Sequence, residues 1–251
     1  GNFSSTSTRG FLGAGNLLLN SNGRLANAWN YMPTLVWRHD GPIWKAETGA
    51  GVSRAFTRFR EMSVGRFGTT SLQRTGVTVA FDDITTLRPN LIAVADGTSG
   101  APVDPYNAGS YSVVNGGTIP LIVDDTQRSA YANLRRDLFW RVPFTLKGGV
   151  DVRQSDRDSR RADQTIQFVG RDGRASTTPI NNDDSAVPFL DESISRREGA
   201  FGFPAIQQIS NKKLLEHYSS NPSHFTINEA ANYQSSIGNS RFTQETISSA
   251  F

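Results

Sequence analysis

The sequence predicts an all-β protein: an antiparallel transmembrane β-barrel segment, an incomplete barrel, with long extracellular loops and at most one short helix. Three observations predict it. Long stretches alternate apolar and polar residues with a period of two. One hairpin design, with aromatic flanks around a short turn, occurs twice. Short turns take turns with long polar connections, the layout of outer-membrane barrels.

The alternation is clearest from Thr126 to Arg157, two long strands around a tight turn. Phe144, Leu146, Gly148, Val150 and Val152 point one way, and Thr145, Lys147, Gly149, Asp151 and Arg153 the other. In the preceding strand Ala130, Ala132 and Leu134 share a face, opposite Ser129, Tyr131, Asn133 and Arg135. Successive strand side chains leave on opposite faces, so one face is apolar and the other polar. The second strand continues for about twelve residues, against the usual five or six. At about 3.3 Å per residue and a 45° tilt it rises roughly 28 Å, close to the apolar band of such a barrel. Phe139, Trp140 and Phe144 cluster at the turn, where aromatic rings suit a lipid–water boundary.

The second hairpin runs from Asn30 to Ser53. Leu35 and Trp37 share a face of its first strand, and Asp40-Gly41-Pro42 is a turn signal. Beyond it Trp44, Ala46, Thr48, Ala50 and Val52 share one face, and Lys45, Glu47, Gly49 and Gly51 the other. Thr75–Phe81 and Leu91–Ala95 read as two more strands around a connection at Asp82–Asn90. Gly1–Ala28 and Asp96–Thr126 read as loop, rich in Gly, Asn, Asp, Ser and Pro. Residues 155–240, which include Asn181-Asn182-Asp183-Asp184, read as one long extracellular loop region. Inside it Ile206, Ile209, Leu214 and Tyr218 recur near helical spacing until Asn221-Pro222, which marks one short helix. Phe242–Phe251 is a weak strand, and about seven strands are expected in all.

Composition narrows the function. The chain has 251 residues, 37% hydrophobic, with a mean hydropathy of −0.41. No apolar run reaches the roughly eighteen residues of a membrane helix, which leaves a barrel open. The 26 basic and 23 acidic residues are too balanced and scattered for a nucleic-acid partner. With no cysteine, disulfides and thiolate metal sites are excluded. The chain starts at Gly1 with no signal peptide, as a processed protein or a fragment would.

Chemical motifs are sparse, and no enzyme and no cofactor is expected. Gly13-Ala14-Gly15 lacks the preceding strand and third glycine of a phosphate loop. Gly97-Thr98-Ser99-Gly100-Ala101-Pro102 resembles the loop around a serine-protease nucleophile, and His39 and Asp82 or Asp83 precede it in the right order. Only about sixty residues separate His39 from Ser99, too few for the two small barrels of that fold. His217 and His224 are too far apart for one helical face and have no third ligand nearby, so no metal site is expected. Asp183-Asp184 lacks the oxygen spacing of a calcium loop. The candidate ligand contacts are Tyr218, His224, Phe225 and Tyr233 on the long loop, and Arg153 and Arg157 in the mixed-charge run at the end of the Phe144 strand.

Asn133-Leu134-Arg135-Arg136-Asp137, followed by Leu146 to Arg153 and Arg157-Asp158, resembles the barrel of TonB-dependent outer-membrane receptors. So do Thr78 to Pro89, Phe201-Gly202-Phe203-Pro204 and Ser240-Arg241-Phe242 to Ala250. Such receptors hold a plug inside a barrel of about twenty-two strands. The resemblance therefore implies a piece of the barrel without the plug, placed in the bacterial outer membrane. It implies uptake of a scarce solute: a ferric siderophore, cobalamin or glycan. Its partners would be outer-membrane lipid, a small-molecule or glycan ligand, and the TonB energy-coupling complex acting through the plug. The alternative is a soluble all-β binding or adhesion module with the long loop as its interaction surface.

Overall fold

The structure, a computed structural model, describes residues 2–86, 88–178 and 182–251. Leu87 and Asn181, each in a segment read above, lie outside them. In chain order the first strands are β1 (Asn2–Phe3), β2 (Thr8–Arg9), β3 (Gly15–Asn22), β4 (Leu25–Tyr31), β5 (Thr34–Asp40) and β6 (Trp44–Arg60). Next come β7 (Thr69–Ile84), β8 (Pro89–Asp96), β9 (Ser112–Thr118), β10 (Leu121–Leu138), β11 (Phe144–Arg161) and β12 (Gln164–Phe168). The chain then forms β13 (Leu190–Asp191), β14 (Gln208–Ile209), α1 (Asn211–Ser220), β15 (Phe225–Ile227), α2 (Glu229–Asn239) and β16 (Arg241–Ala250). The protein is all-β and antiparallel, and among the described residues neither large sheet closes on itself.

The chain divides into two compact units. Unit 1 comprises residues 1–24, 60–119 and 163–232. Its spine is β7, which pairs with β3 along Thr69–Val77 and with β8 along Val77–Ile84. From β7 the sheet continues through β9 and β12 to β15. Phe67, Leu72, Val113, Ile166, Phe168, Leu214 and Phe225 bury their side chains together in a conventional core. Helix α1 buries Leu214, which the helical spacing marked, and Leu215, which it did not; Ile206 and Ile209 of that spacing precede the helix, Ile209 in β14. Inside this unit Glu61 is fully buried and accepts hydrogen bonds from Thr118 Oγ1 at 2.9 Å and Ile119 N at 2.6 Å. That satisfies a carboxylate which would otherwise be costly to bury.

Unit 2 comprises residues 25–59, 120–162 and 233–251. It is a single sheet in the order β16-β11-β10-β6, with β4 and β5 as consecutive lengths of strand along β6. The break between them is bridged by Val52 N donating to Pro33 O at 3.1 Å. β10 and β11 stay in register from Leu121↔Arg161 to Leu138↔Phe144, so the two faces read from the sequence continue unbroken across the pair. The aromatic turns lie at 41–43 and 139–143, where they were expected. Every fully buried hydrophobic side chain among the described residues belongs to unit 1. Unit 2 has two faces and no core.

Several expectations need correction. Gly1–Ala28 is not loop. It carries β1 to β3 and the start of β4, with Leu17 and Leu19 packed on the core of unit 1. Asp96–Thr126 contains β9, whose Gly116 reads as loop but is required, because a Cβ there would lie 2.6 Å from the Phe67 ring. Residues 155–240 hold the end of β11 and every later element as far as α2. There are two short helices, where at most one was expected. The second, α2, starts at a cap of its own: Asn228 Oδ1 accepts from Ala231 N at 2.9 Å. Phe242–Phe251 is no weak strand, since β16 pairs with β11 from Ser159↔Arg241 to Val150↔Ala250.

Candidate functional site

The two faces of the unit 2 sheet differ chemically. On the first, Leu35 and Trp37 of β5, Trp44 to Val52 of β6, Ala130 to Leu134 of β10 and Leu146 to Val152 of β11 align in register. They form an apolar band that spans nine residues on β6 and seven on β11 but five on β10, where Arg136 and Arg128 stand opposite Trp44 and Val52. All of its large members are exposed; Trp37 and Val150 keep 57% and 51% of their surface open. Aromatic rings close both ends. At one end Trp44 lies under the Arg136 guanidinium at 4.8 Å. At the other, Trp29 stacks on Tyr31 at 5.7 Å and on Phe56 at 5.4 Å. From Arg128, opposite Val52, the same face turns ionic, with Arg54 paired to Asp124, Arg128 to Asp156 at 2.5 Å and Arg160 to Asp158 at 2.6 Å, so ion pairs and the Phe56 ring share that end.

The opposite face is mostly polar, with Val36 and Ile247 as exposed apolar exceptions. Arg38 donates to Glu47 Oε2 through Nε at 2.9 Å and Nη2 at 2.6 Å, and Tyr131 OH donates to Glu47 Oε1 at 2.8 Å. The Tyr131 ring lies over Gly49, where a Cβ would come within 2.5 Å of it. A trough of about 620 Å³ opens here, lined by Gly51, Gln127, Ser129, Tyr131, Arg153 and Glu245 among others. Hydroxyls, an amide, a phenol and charged ends stand here beside the apolar side chains of Met32, Val52 and Ile247, a mixed surface that suits an amphipathic or hydrogen-bonding solute.

The candidate ligand contacts fall in different places. Arg153 lines the trough and holds Asp151 Oδ1 at 3.0 Å. Arg157 sits farther along the same face, between Asp125 of β10 and Thr243 of β16 in register. Tyr233 is exposed on α2. In unit 1 Phe225 is buried and Tyr218 packs edge-on against it at 5.1 Å, so both rings serve the core. His224 meets His217 across a turn, with Nδ1 of one 3.0 Å from Nε2 of the other. Burial lowers the His217 pKa below the ordinary imidazole value, helped by His224 and Arg171. Ser99 gives its hydroxyl to Asp96 Oδ1 at 3.0 Å, a bond that shapes its turn. Among the described residues no three His, Asp or Glu side chains converge as a metal cage. The sequence reading missed the trough, because its floor and walls come from strands far apart in sequence. Alternation names the polar face, but register alone brings Gly51, Ser129 and Arg153 side by side.

No protein-family model, curated protein or solved structure matched the chain.

Proposed function

We propose that this chain is a wall segment of an outer-membrane β-barrel that takes up a scarce solute in the manner of TonB-dependent receptors. The observation that carries the reading is a long-stranded sheet without a core whose apolar face is open. A single sheet with one bare apolar face is not stable in water, because the hydrophobic term that holds sheets together is unspent. Lipid supplies the missing layer. The aromatic rings at both ends of the face support lipid, as does the switch to ion pairs near one of them. Both short turns join strands at one end of the sheet, and the long segments 60–119 and 162–240 leave and re-enter at the other. The polar face then lines a water-filled lumen, where the trough and Arg153 meet the solute. Further strands would complete the barrel, and a plug would link it to the TonB complex.

The second reading, a soluble all-β binding or adhesion module, is favoured by one observation: unit 1 has a closed core of its own. Phase separation of the full chain in a cloud-point detergent distinguishes the two. The barrel reading expects recovery in the detergent phase. Recovery as a monodisperse protein in the aqueous phase would leave the soluble module standing instead.

A further inference from the structure

The chain has three histidines, and two of them meet. His217 lies in the last turn of α1. The chain then reverses at Asn221-Pro222, and a short 3-10 turn, Pro222–His224, brings His224 back. Nε2 of His217 and Nδ1 of His224 end 3.0 Å apart. Two imidazole nitrogens on one tetrahedral Zn(II) ion, each about 2.05 Å from it, lie about 3.3 Å apart. In the structure the two nitrogens share a hydrogen bond; a metal ion would displace the proton of that bond, and the nitrogens would part by a few tenths of an ångström to reach a chelating bite.

The surroundings hold it there. The His217 ring is flanked by Phe189 at 5.2 Å and by Phe168 and Phe225 at 6.0 Å each, so its rotamer is fixed by packing. Its other nitrogen, Nδ1, faces the side-chain amide of Asn221 at 3.4 Å. A metal-bound imidazole donates from its free nitrogen, and a 180° turn of that amide presents an oxygen to receive the proton, at the loss of the long 3.5 Å bond that the amide nitrogen gives to His217 O. The pair opens on a cavity of about 410 Å³ whose other polar lining includes Arg171, Lys213, Asp183 and Glu216. Those four charges balance. The cavity leaves room for water, or for donor atoms of an arriving ligand, at the remaining coordination positions.

We propose that His217 and His224 form a two-point site for a divalent transition-metal ion of borderline softness, Zn(II) or Cu(II), with its other positions open. Imidazole nitrogens select such ions over calcium and magnesium. The site lies wholly within unit 1 and does not depend on the membrane reading.

The test is titration of the full chain with Zn(II) alone and with Cu(II) alone, followed by calorimetry. One equivalent is expected. His217→Gln and His224→Gln should each weaken binding by at least about tenfold, since loss of a ligand exceeds the loss of an outer-shell partner. His39→Gln should bind as the parent does. The Cu(II)-loaded parent should show nitrogen hyperfine structure from two imidazoles, a readout that needs no variant to fold. Absence of stoichiometric binding, a spectrum with one imidazole or none, or full affinity in both His217→Gln and His224→Gln would overturn the proposal.

Discussion

Single residues carry two predictions. Gly49 exists so that the Tyr131 ring can lie flat on β6 and reach Glu47. Gly49→Ala should displace that ring and destabilise the sheet by about 1–3 kcal/mol, the usual cost of overpacking. Tyr131→Phe, which loses only the hydrogen bond, should cost about 1 kcal/mol. Thermal melting of the detergent-solubilised chain orders the two, and an equal or reversed order would argue against ring-on-glycine packing. Asp184, fully buried in unit 1, makes a different prediction. Burial and the neighbouring Asp183 push its pKa from 3.8 up to about 6. Between about pH 4 and 6 the folded chain then binds more protons than the unfolded one, so this group makes stability fall as pH rises through that window. Above about 6 its contribution is flat. Asp184→Asn should remove that slope and add about 2 kcal/mol at pH 7 relative to the parent. Urea midpoints of both proteins at pH 4.5 and 7 would check it; parallel changes in the two would contradict the assignment.

At the scale of elements, β10 and β11 are the decisive pair. Ala132 stands opposite Val150 and Tyr131 opposite Asp151, so neighbouring residues of β11 meet different surroundings. Val150→Arg puts a charge in the apolar band and should cost about 2–4 kcal/mol near the midplane. Asp151→Ala should leave assembly unchanged. Heat-modifiable gel mobility of the two variants is the measurement, and similar losses in both would remove the assigned faces. These faces were legible in the sequence, because Phe144 to Arg153 alternates without a break. β9 was not, because Gly116 and Gly117 are loop residues by composition and only the Phe67 ring explains one of them. α2 was missed because Gly238 and its serines dilute the apolar spacing, although Asn228 marks its start. The extension of β11 to Arg161 was hidden by its charges, which look like a solvated loop until Asp156 and Asp158 are seen to pair with arginines.

On the scale of the molecule, the contrast between the units is the main result. Unit 1 gathers its apolar side chains into a core, while unit 2 displays them. The same hydrophobic term acts on both: unit 1 covers its apolar side chains with its own chain, and the described residues of unit 2 leave theirs uncovered, for lipid under the proposed reading. Quenching by lipids brominated at mid-chain tests this. Of the four tryptophans Trp37 lies mid-band, while Trp29 and Trp44 close its ends and Trp140 sits in a turn, so reconstituted protein should lose the Trp37 share of its emission and Trp37→Phe should lose that quenching. Emission insensitive to the quencher would place another protein surface, and not lipid, over the band.

The sequence alone settled the chemistry of each ribbon face, because a period of two is a local property that needs only neighbouring residues. It also placed both aromatic turns, since Asp40-Gly41-Pro42 and Trp140 to Pro143 act within a few residues. The tertiary structure decided what lies beside what. Phe225 joins the core of unit 1, and His224 meets His217 across a chain reversal. Gly51, Ser129 and Arg153 floor one trough from three strands. Those outcomes depend on registers and contacts between residues tens of positions apart, and local alternation has no term for them.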